Sequence, residues 1–408
     1  MPVAVNLKEP DSLLPVPGVR LAVAEAAIKQ PGRKDLLLVE LAEGAQVAGV
    51  FTKNAFAAAP VQLCRERLKR TSAIRALLVN AGNANAATGA GGLASARATT
   101  AAVAGALGIG AETVLPFSTG VIGQPLPVER MNAAIGRAAG RLDADRWLDG
   151  ARAIMTTDTV PKGCSRRVRT SQGEVTVTGI AKGVGMIHPD MATMLAFVAT
   201  DARLGAPAVR RCLRDAVAAS FNCVTVDGDT STNDSCVLAA TGHAGARALA
   251  PGGRDYKAVA AAVAEVCAEL ARALVRDGEG ATRFVTLDIG GARSTAEARR
   301  VAFSVANSPL VKTALFAGDA NWGRLAMAIG NAGVPGLDAR RVSLSLDDVR
   351  VLVRGEPNPA YREGQGAAVL ARPEYTIAVD LGRGRARARI WTCDLSHDYV
   401  KINAEYRT

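Results

Sequence analysis

The run Lys182–Phe197, KGVGMIHPDMATMLAF, constrains this chain more than any other stretch. A glycine-bearing loop leads into Met191-Ala192-Thr193-Met194-Leu195, and an apolar, strand-forming tail follows. Glycines let the backbone bend beside a reactive side chain, while the β-branched threonine suits the first position of a buried strand. If the threonine itself cuts the Ala192–Thr193 bond, the freed α-amine becomes a base able to activate the hydroxyl. Such a chain would be a precursor, active after its own cleavage.

The rest of the pattern places this strand in an α/β protein. Leu36–Leu41 and Gln46–Phe51 read as strands paired around a Glu43-Gly44 turn, and Arg75–Val79 as another. The Asn80–Gly89 stretch NAGNANAATG then reads as a site loop before an alanine-rich helix ending near Leu107. Val114–Phe117 runs into Ser118-Thr119-Gly120-Val121-Ile122-Gly123. Helical patterns cover Val128–Ala139 and Arg146–Met155, and Gln172-Gly173 is a hairpin turn. Tyr256–Val275 is the clearest helix, with Val259, Val263, Val266, Leu270 and Leu274 on one stripe. Past Gly290 short strands and Pro/Gly turns take over, which divides the chain into 1–289 and 290–408.

Composition narrows the function. The chain has 408 residues and a net charge of +11, but no dense basic block, so the arginines read as solubilising and nucleic acid is not expected as a partner. Those at 383, 385, 387 and 389 would share one face of a strand. Seven cysteines form no CxxC pair, as in a reducing cytoplasm. His188, His243 and His397 are not spaced to chelate a metal, and no apolar run is long enough to span a bilayer. The expectation is a cytoplasmic enzyme without metal or cofactor.

Two chemistries compete for the motifs. Asp227-Gly228-Asp229-Thr230-Ser231 after a short strand resembles the opening of a Mg²⁺ phosphatase, with Leu346-Asp347-Asp348 as a later metal pair. The plainer reading is an Asx-rich turn. A calcium loop fails, because Thr232 and Leu238 stand where glycine and glutamate are needed. Acyl transfer draws on more pieces. Thr193 would be the nucleophile, and the Thr119-Gly120 turn could offer a hydroxyl and an N–H to an oxyanion. Lys182 could hold a carboxylate and Glu279 an ammonium. Each also has a plainer reading: a core-strand threonine, an ordinary turn, a solvated lysine and a helix-end charge.

Eight motifs in order decide between these readings: NAGNANAATG (80–89), STGVIG (118–123), IMTTDTVPK (154–162), AKGVGMIHPDMATMLAF (181–197), DGDTSTND (227–234), RDGEGATRF (276–284), GDANWGR (318–324) and the terminal YVKINAEYRT. Together they resemble the ornithine acetyltransferase family, the bifunctional glutamate N-acetyltransferases of arginine biosynthesis. The resemblance implies an αββα sandwich like that of N-terminal-nucleophile hydrolases, with a smaller C-terminal α+β domain. It implies cleavage at Ala192/Thr193 into an α chain (1–192) and a β chain (193–408), assembled as an α2β2 heterotetramer. Thr193 would carry acetyl from N-acetylornithine to glutamate, releasing ornithine and N-acetylglutamate, with acetyl-CoA a possible second donor. Thr119 and Gly120 would form the oxyanion hole. Thr157 (taken from the run Thr156–Thr159), Lys182, Thr193, Glu279, Asn403 and Thr408 would bind substrate. Asp190 and Ala320 stand where the family has Asn and Pro, and Asp190 puts a charge near the scissile bond. The nearest rival keeps the fold and the nucleophile but gives the acyl group to water, as an aminopeptidase or amidase does.

Overall fold

The computed structural model describes residues 4–188 and 194–405. The calls on Ala192, Thr193, Asp190 and Thr408 therefore lie outside the described residues. The first sheet joins β1 (Val19–Ala24) and β2 (Leu36–Leu41), and the next strand, β3 (Gln46–Phe51), belongs to a second sheet. Helix α1 (Ala59–Arg70), β4 (Ala76–Asn83), α2 (Gly89–Leu107), β5 (Val114–Val121), α3 (Val128–Ala139) and α4 (Trp147–Ala153) follow. The second sheet is completed by β6 (Lys162–Thr170), β7 (Gly173–Lys182), β8 (Leu195–Ala202) and β9 (Ser235–Ala244), with α5 (Ala206–Ala218) before β9 and α6 (Arg254–Arg276) after it. Strand orders are β1-β2-β4-β5 and β3-β9-β8-β7-β6.

Period-two patterning turns these sheets into a four-layer α–β–β–α sandwich. Alternate side chains of one strand leave on opposite faces. Leu37 and Val39 of β2 therefore enter the core between the sheets, where they join Phe117, Ile180, Phe197 and Val237. Leu36 and Leu38 face the other way, onto Val103 of α2 and Met131 and Ile135 of α3. The same division splits β8. Leu195, Phe197 and Ala199 point between the sheets, while Ala196 and Val198 meet Val209 and Leu213 of α5 and Val263, Val266 and Leu270 of α6. Phe117 and Phe197 meet edge to face across the inter-sheet layer, with ring centroids 5.0 Å apart. Burying each large apolar side chain stabilises the fold by about 1.5–3 kcal/mol. A strand buried on both faces, as β8 is throughout, is fixed in register.

The expected β2–β3 hairpin does not form. β2 pairs with β1 and β4, whereas β3 pairs antiparallel with β9, almost two hundred residues later. The Glu43-Gly44 turn carries the chain from one sheet to the other instead.

The C-terminal part holds β10 (Phe284–Ala292), α7 (Thr295–Ala306), α8 (Pro309–Ala317), α9 (Trp322–Gly330), β11 (Ser343–Leu346), β12 (Val349–Val353), β13 (Glu356–Pro357), α10 (Glu363–Leu370), β14 (Glu374–Asp380) and β15 (Ala386–Cys393). Its sheet, ordered β13-β12-β11-β14-β10-β15, packs Leu287, Ile377 and Ile390 against α7, α9 and α10 in a separate core. A division after Ile289 falls inside β10, which pairs with β14 and β15. Of the alternating arginines, Arg387 and Arg389 pair with Asp288 on the neighbouring strand, while Arg383 precedes β15 and turns to Glu297. The last helix, α11 (His397–Ala404), returns to the sandwich, where Tyr399 donates to Asp227 and Asn403 to Glu279.

Candidate active site

The ends of three strands and one helix converge where β8 begins. β5 brings Thr119 and Gly120 beside the parallel strand β4, at a bulge opposite Gly82 and Asn83. Gly120 has φ +132°, and a Cβ there would lie 2.2 Å from the Gly82 carbonyl carbon. Only glycine fits so close an approach. Its N–H and the buried Thr119 hydroxyl therefore sit on a rigid strand end. The asparagines of the expected site loop brace this strand. Asn80 donates to Ser118 Oγ at 2.6 Å, and Asn83 holds the carbonyls of Gln124 and Pro125.

Lys182 closes β7 in register with Leu195, the first residue of β8. The lysine is 4 % exposed. Its Nζ donates to Thr156 Oγ1 at 2.6 Å and to Thr119 Oγ1 at 3.3 Å, with the Asp158 carboxylate 3.7 Å away. From the other flank, Asp234 accepts the Met194 N–H at 3.1 Å, and Ser235 N–H donates to the Met194 carbonyl. Met194 is thus pinned through both its N–H and its carbonyl to the start of β9, and Thr193 is covalently bonded to it.

Glu279 reaches the same place from the turn after α6, its N–H held by the Val184 carbonyl. Its carboxylate accepts from Thr157 Oγ1 and Asn403 Nδ2, both at 2.9 Å. Thr119, Gly120, Thr157, Lys182, Glu279 and Asn403 together line one small cavity of ≈ 60 Å³. Thr156, Thr157 and Glu279 also line a wider cleft of ≈ 750 Å³. All the expected site residues that are described are therefore brought together.

Burial sets the electrostatics. It pushes the Glu279 carboxyl up, against the opposing hydrogen bonds of Asn403 and Thr157. It lowers Lys182, which Asp158 partly restores. Burial alone would raise Asp158, but Lys162 and Lys182 outweigh it and hold that carboxyl well below the usual carboxylate range. Asp234 is fully buried and raised well above its ordinary value, with the Met194 N–H opposing.

Several contributors were not singled out from the sequence. Thr156 binds Lys182, and Asp158, Lys162 and Asp277 lie behind it. The IMTTDTVPK and RDGEG motifs contained all four, but isolated charges read as surface residues until their burial is known. The DGDTSTND segment is a clamp. Asp227 accepts the N–H groups of Met186 and Ile187, and Asn233 donates to the carbonyls of Ala84 and Ser118. Asp347, the other half of the phosphatase reading, sits in the C-terminal sheet between β11 and β12 and accepts from Thr376 N. No group of three or more His, Cys, Asp or Glu among the described residues is placed to hold a metal.

Residues 20–408 match the model of the ArgJ family. The chain belongs to that family. It is 56 % identical over 396 residues to the arginine biosynthesis bifunctional protein ArgJ of Methylococcus capsulatus, covering 97 % of both chains. A solved ArgJ structure from Bacillus halodurans is 36 % identical, with a TM-score of 0.48, covering 50 % of this chain and 95 % of that one. The ornithine acetyltransferase of Mycobacterium tuberculosis, solved with ornithine, is also 36 % identical, with a TM-score of 0.38 and coverage of 43 % and 92 %. This ArgJ-family protein is an enzyme, an acyltransferase of arginine biosynthesis. Among the described residues no helix is long and apolar enough to cross a membrane.

Proposed function

We propose that this enzyme moves the acetyl group of N2-acetyl-L-ornithine to L-glutamate through an acetyl-Thr193 ester. The observation that carries this reading is the convergence of Thr119, Gly120, Lys182, Glu279 and Asn403 at the start of β8, directly after Thr193 in the chain. Thr193 Oγ attacks the acetyl carbonyl while the α-amine freed by cleavage at Ala192/Thr193 takes its proton. The developing oxyanion is met by the Thr119 hydroxyl and the Gly120 N–H. Collapse breaks the amide C–N bond, and the leaving nitrogen of ornithine takes the proton back. The glutamate amine then attacks the ester by the same route. Glu279 suits the side-chain ammonium of ornithine, and Lys182 a carboxylate.

One site serves both half-reactions, so the kinetics are ping-pong. With it go an α chain (1–192), a β chain (193–408), their α2β2 assembly, acetyl-CoA as a second donor, a cytoplasmic setting, and a division between sandwich and C-terminal domain that leaves β10 whole in the latter. No metal or cofactor takes part in this chemistry. The test is a denaturing gel with an acetyl-transfer assay. The wild type gives two bands and transfers acetyl to glutamate, while Thr193→Ala gives one band and none. An uncut, active wild type would overturn the reading, and acetate release without N-acetylglutamate would point to the amidase.

A further inference from the structure

Behind the site lies a buried network of four charges, and three of them, Asp158, Lys162 and Asp277, have no part in the transfer chemistry above. Lys162, the first residue of β6, is fully buried. Its Nζ lies 2.7 Å from Asp158 Oδ1 and 2.6 Å from Asp277 Oδ2, and it also donates to the Val160 carbonyl. Asp158 is saturated: Oδ1 also accepts the Gly183 N–H, and Oδ2 accepts the Thr156 N–H and faces Lys182. Asp277 in turn accepts the N–H and hydroxyl of Thr159. Two ammonium groups and two carboxylates thus alternate in the order Asp277, Lys162, Asp158, Lys182. The chain ends at Thr119, whose oxygen accepts from Lys182 while its own proton has no acceptor among the described residues.

A buried ion array of this kind adds little net stability, because desolvation cancels most of the attraction. Its geometry gives it another use. A hydroxyl that accepts from an ammonium must turn its own proton away, and that ammonium makes the proton a stronger donor. We propose that Asp158, backed by Lys162 and Asp277, is a positioning residue for acyl transfer: it holds the Lys182 ammonium on the Thr119 hydroxyl, so that Thr119 presents its proton to the oxyanion. The same contacts fix the backbone at Thr156 and Gly183, on two walls of the site. The inference rests on the acetyl-Thr193 reading.

The groups that face Lys182 among the described residues are Asp158 from the loop before β6, Lys162 from β6, Glu279 from the turn after α6, and Asp234 from the segment before β9. Asp277, in the turn after α6, acts through Lys162. Asp158 favours the charged lysine and Lys162 opposes it, so removing each must act in opposite directions. The experiment is the pH profile of single-turnover acylation by saturating N-acetylornithine, read by mass as acetylated β chain, on cleaved wild type, Asp158→Asn and Lys162→Met. Ionisation of the substrate is common to all three. Asp158→Asn should move the alkaline limb down by about one pH unit or more, and Lys162→Met should move it up.

If Asp158→Asn does not fold, Asp277→Asn replaces it, with a smaller shift in the same downward direction. Loss of rate with unmoved limbs, or limbs moving the same way in both variants, would reduce the network to a structural brace and overturn the inference. Failure of the wild type to form acetyl-Thr193 would instead refute the underlying reading.

Discussion

Replacing Glu279 by Gln should separate the two half-reactions. Glu279 is 9 % exposed, and each carboxylate oxygen already accepts one neutral hydrogen bond, from Thr157 and Asn403. A glutamine keeps the shape and can still accept from one of them, so the fold should survive with cleavage intact. What disappears is the charge opposite the side-chain ammonium of N-acetylornithine. A hydrogen bond to a charged group contributes about 1.5–3 kcal/mol, which corresponds to a fall of roughly 10- to 150-fold in kcat/KM for the donor. Glutamate has no side-chain ammonium; its second carboxylate is repelled by Glu279, so its kcat/KM should hold or rise. In a ping-pong reaction the two values report separate half-reactions and are measured independently by varying one substrate. The pH dependence carries the same signature. Because burial raises the Glu279 carboxyl, protonation on acidification should erode donor kcat/KM from above the ordinary glutamate range, and Glu279→Gln should abolish that limb. An equal loss for donor and acceptor, or a donor value within about 3-fold of wild type, would refute the ammonium role.

Gly120→Ala should abolish acetyl transfer, since the added carbon meets Gly82 and Asn83 backbone at 2.6 Å or less; a variant with wild-type acylation kinetics would show that this strand end supplies no oxyanion donor. Asp234→Asn keeps an acceptor for the Met194 N–H, whereas Asp234→Ala leaves it unpaired in a buried site. Urea denaturation should therefore show a further loss of about 1–3 kcal/mol for alanine over asparagine. Equal stabilities would mean that Asp234 does not pin the start of β8.

Strand and helix identity was legible wherever one residue's neighbours decide it. The stripe Val259, Val263, Val266, Leu270 and Leu274 is buried as its spacing requires, and the hairpin at Gln172-Gly173 joins β6 to β7. Pairing across the chain was not legible. Gln46–Phe51 has the same pattern whether it folds back on β2 or crosses to β9, and the inter-sheet core made the choice. The candidate site was legible as motifs because Thr119-Gly120, Lys182, Glu279 and Asn403 each stand in a distinctive local run. The charges behind it were not, since Asp158 and Lys162 become informative only when burial forces them together.

The most direct test of the central claim is the intact mass of the denatured protein after incubation with N-acetylornithine in the absence of glutamate. The account predicts two chains, with the one beginning at Thr193 heavier by one acetyl group that is lost when glutamate is added. A single uncut chain, or an acetyl group that stays in place when glutamate is supplied, would contradict it.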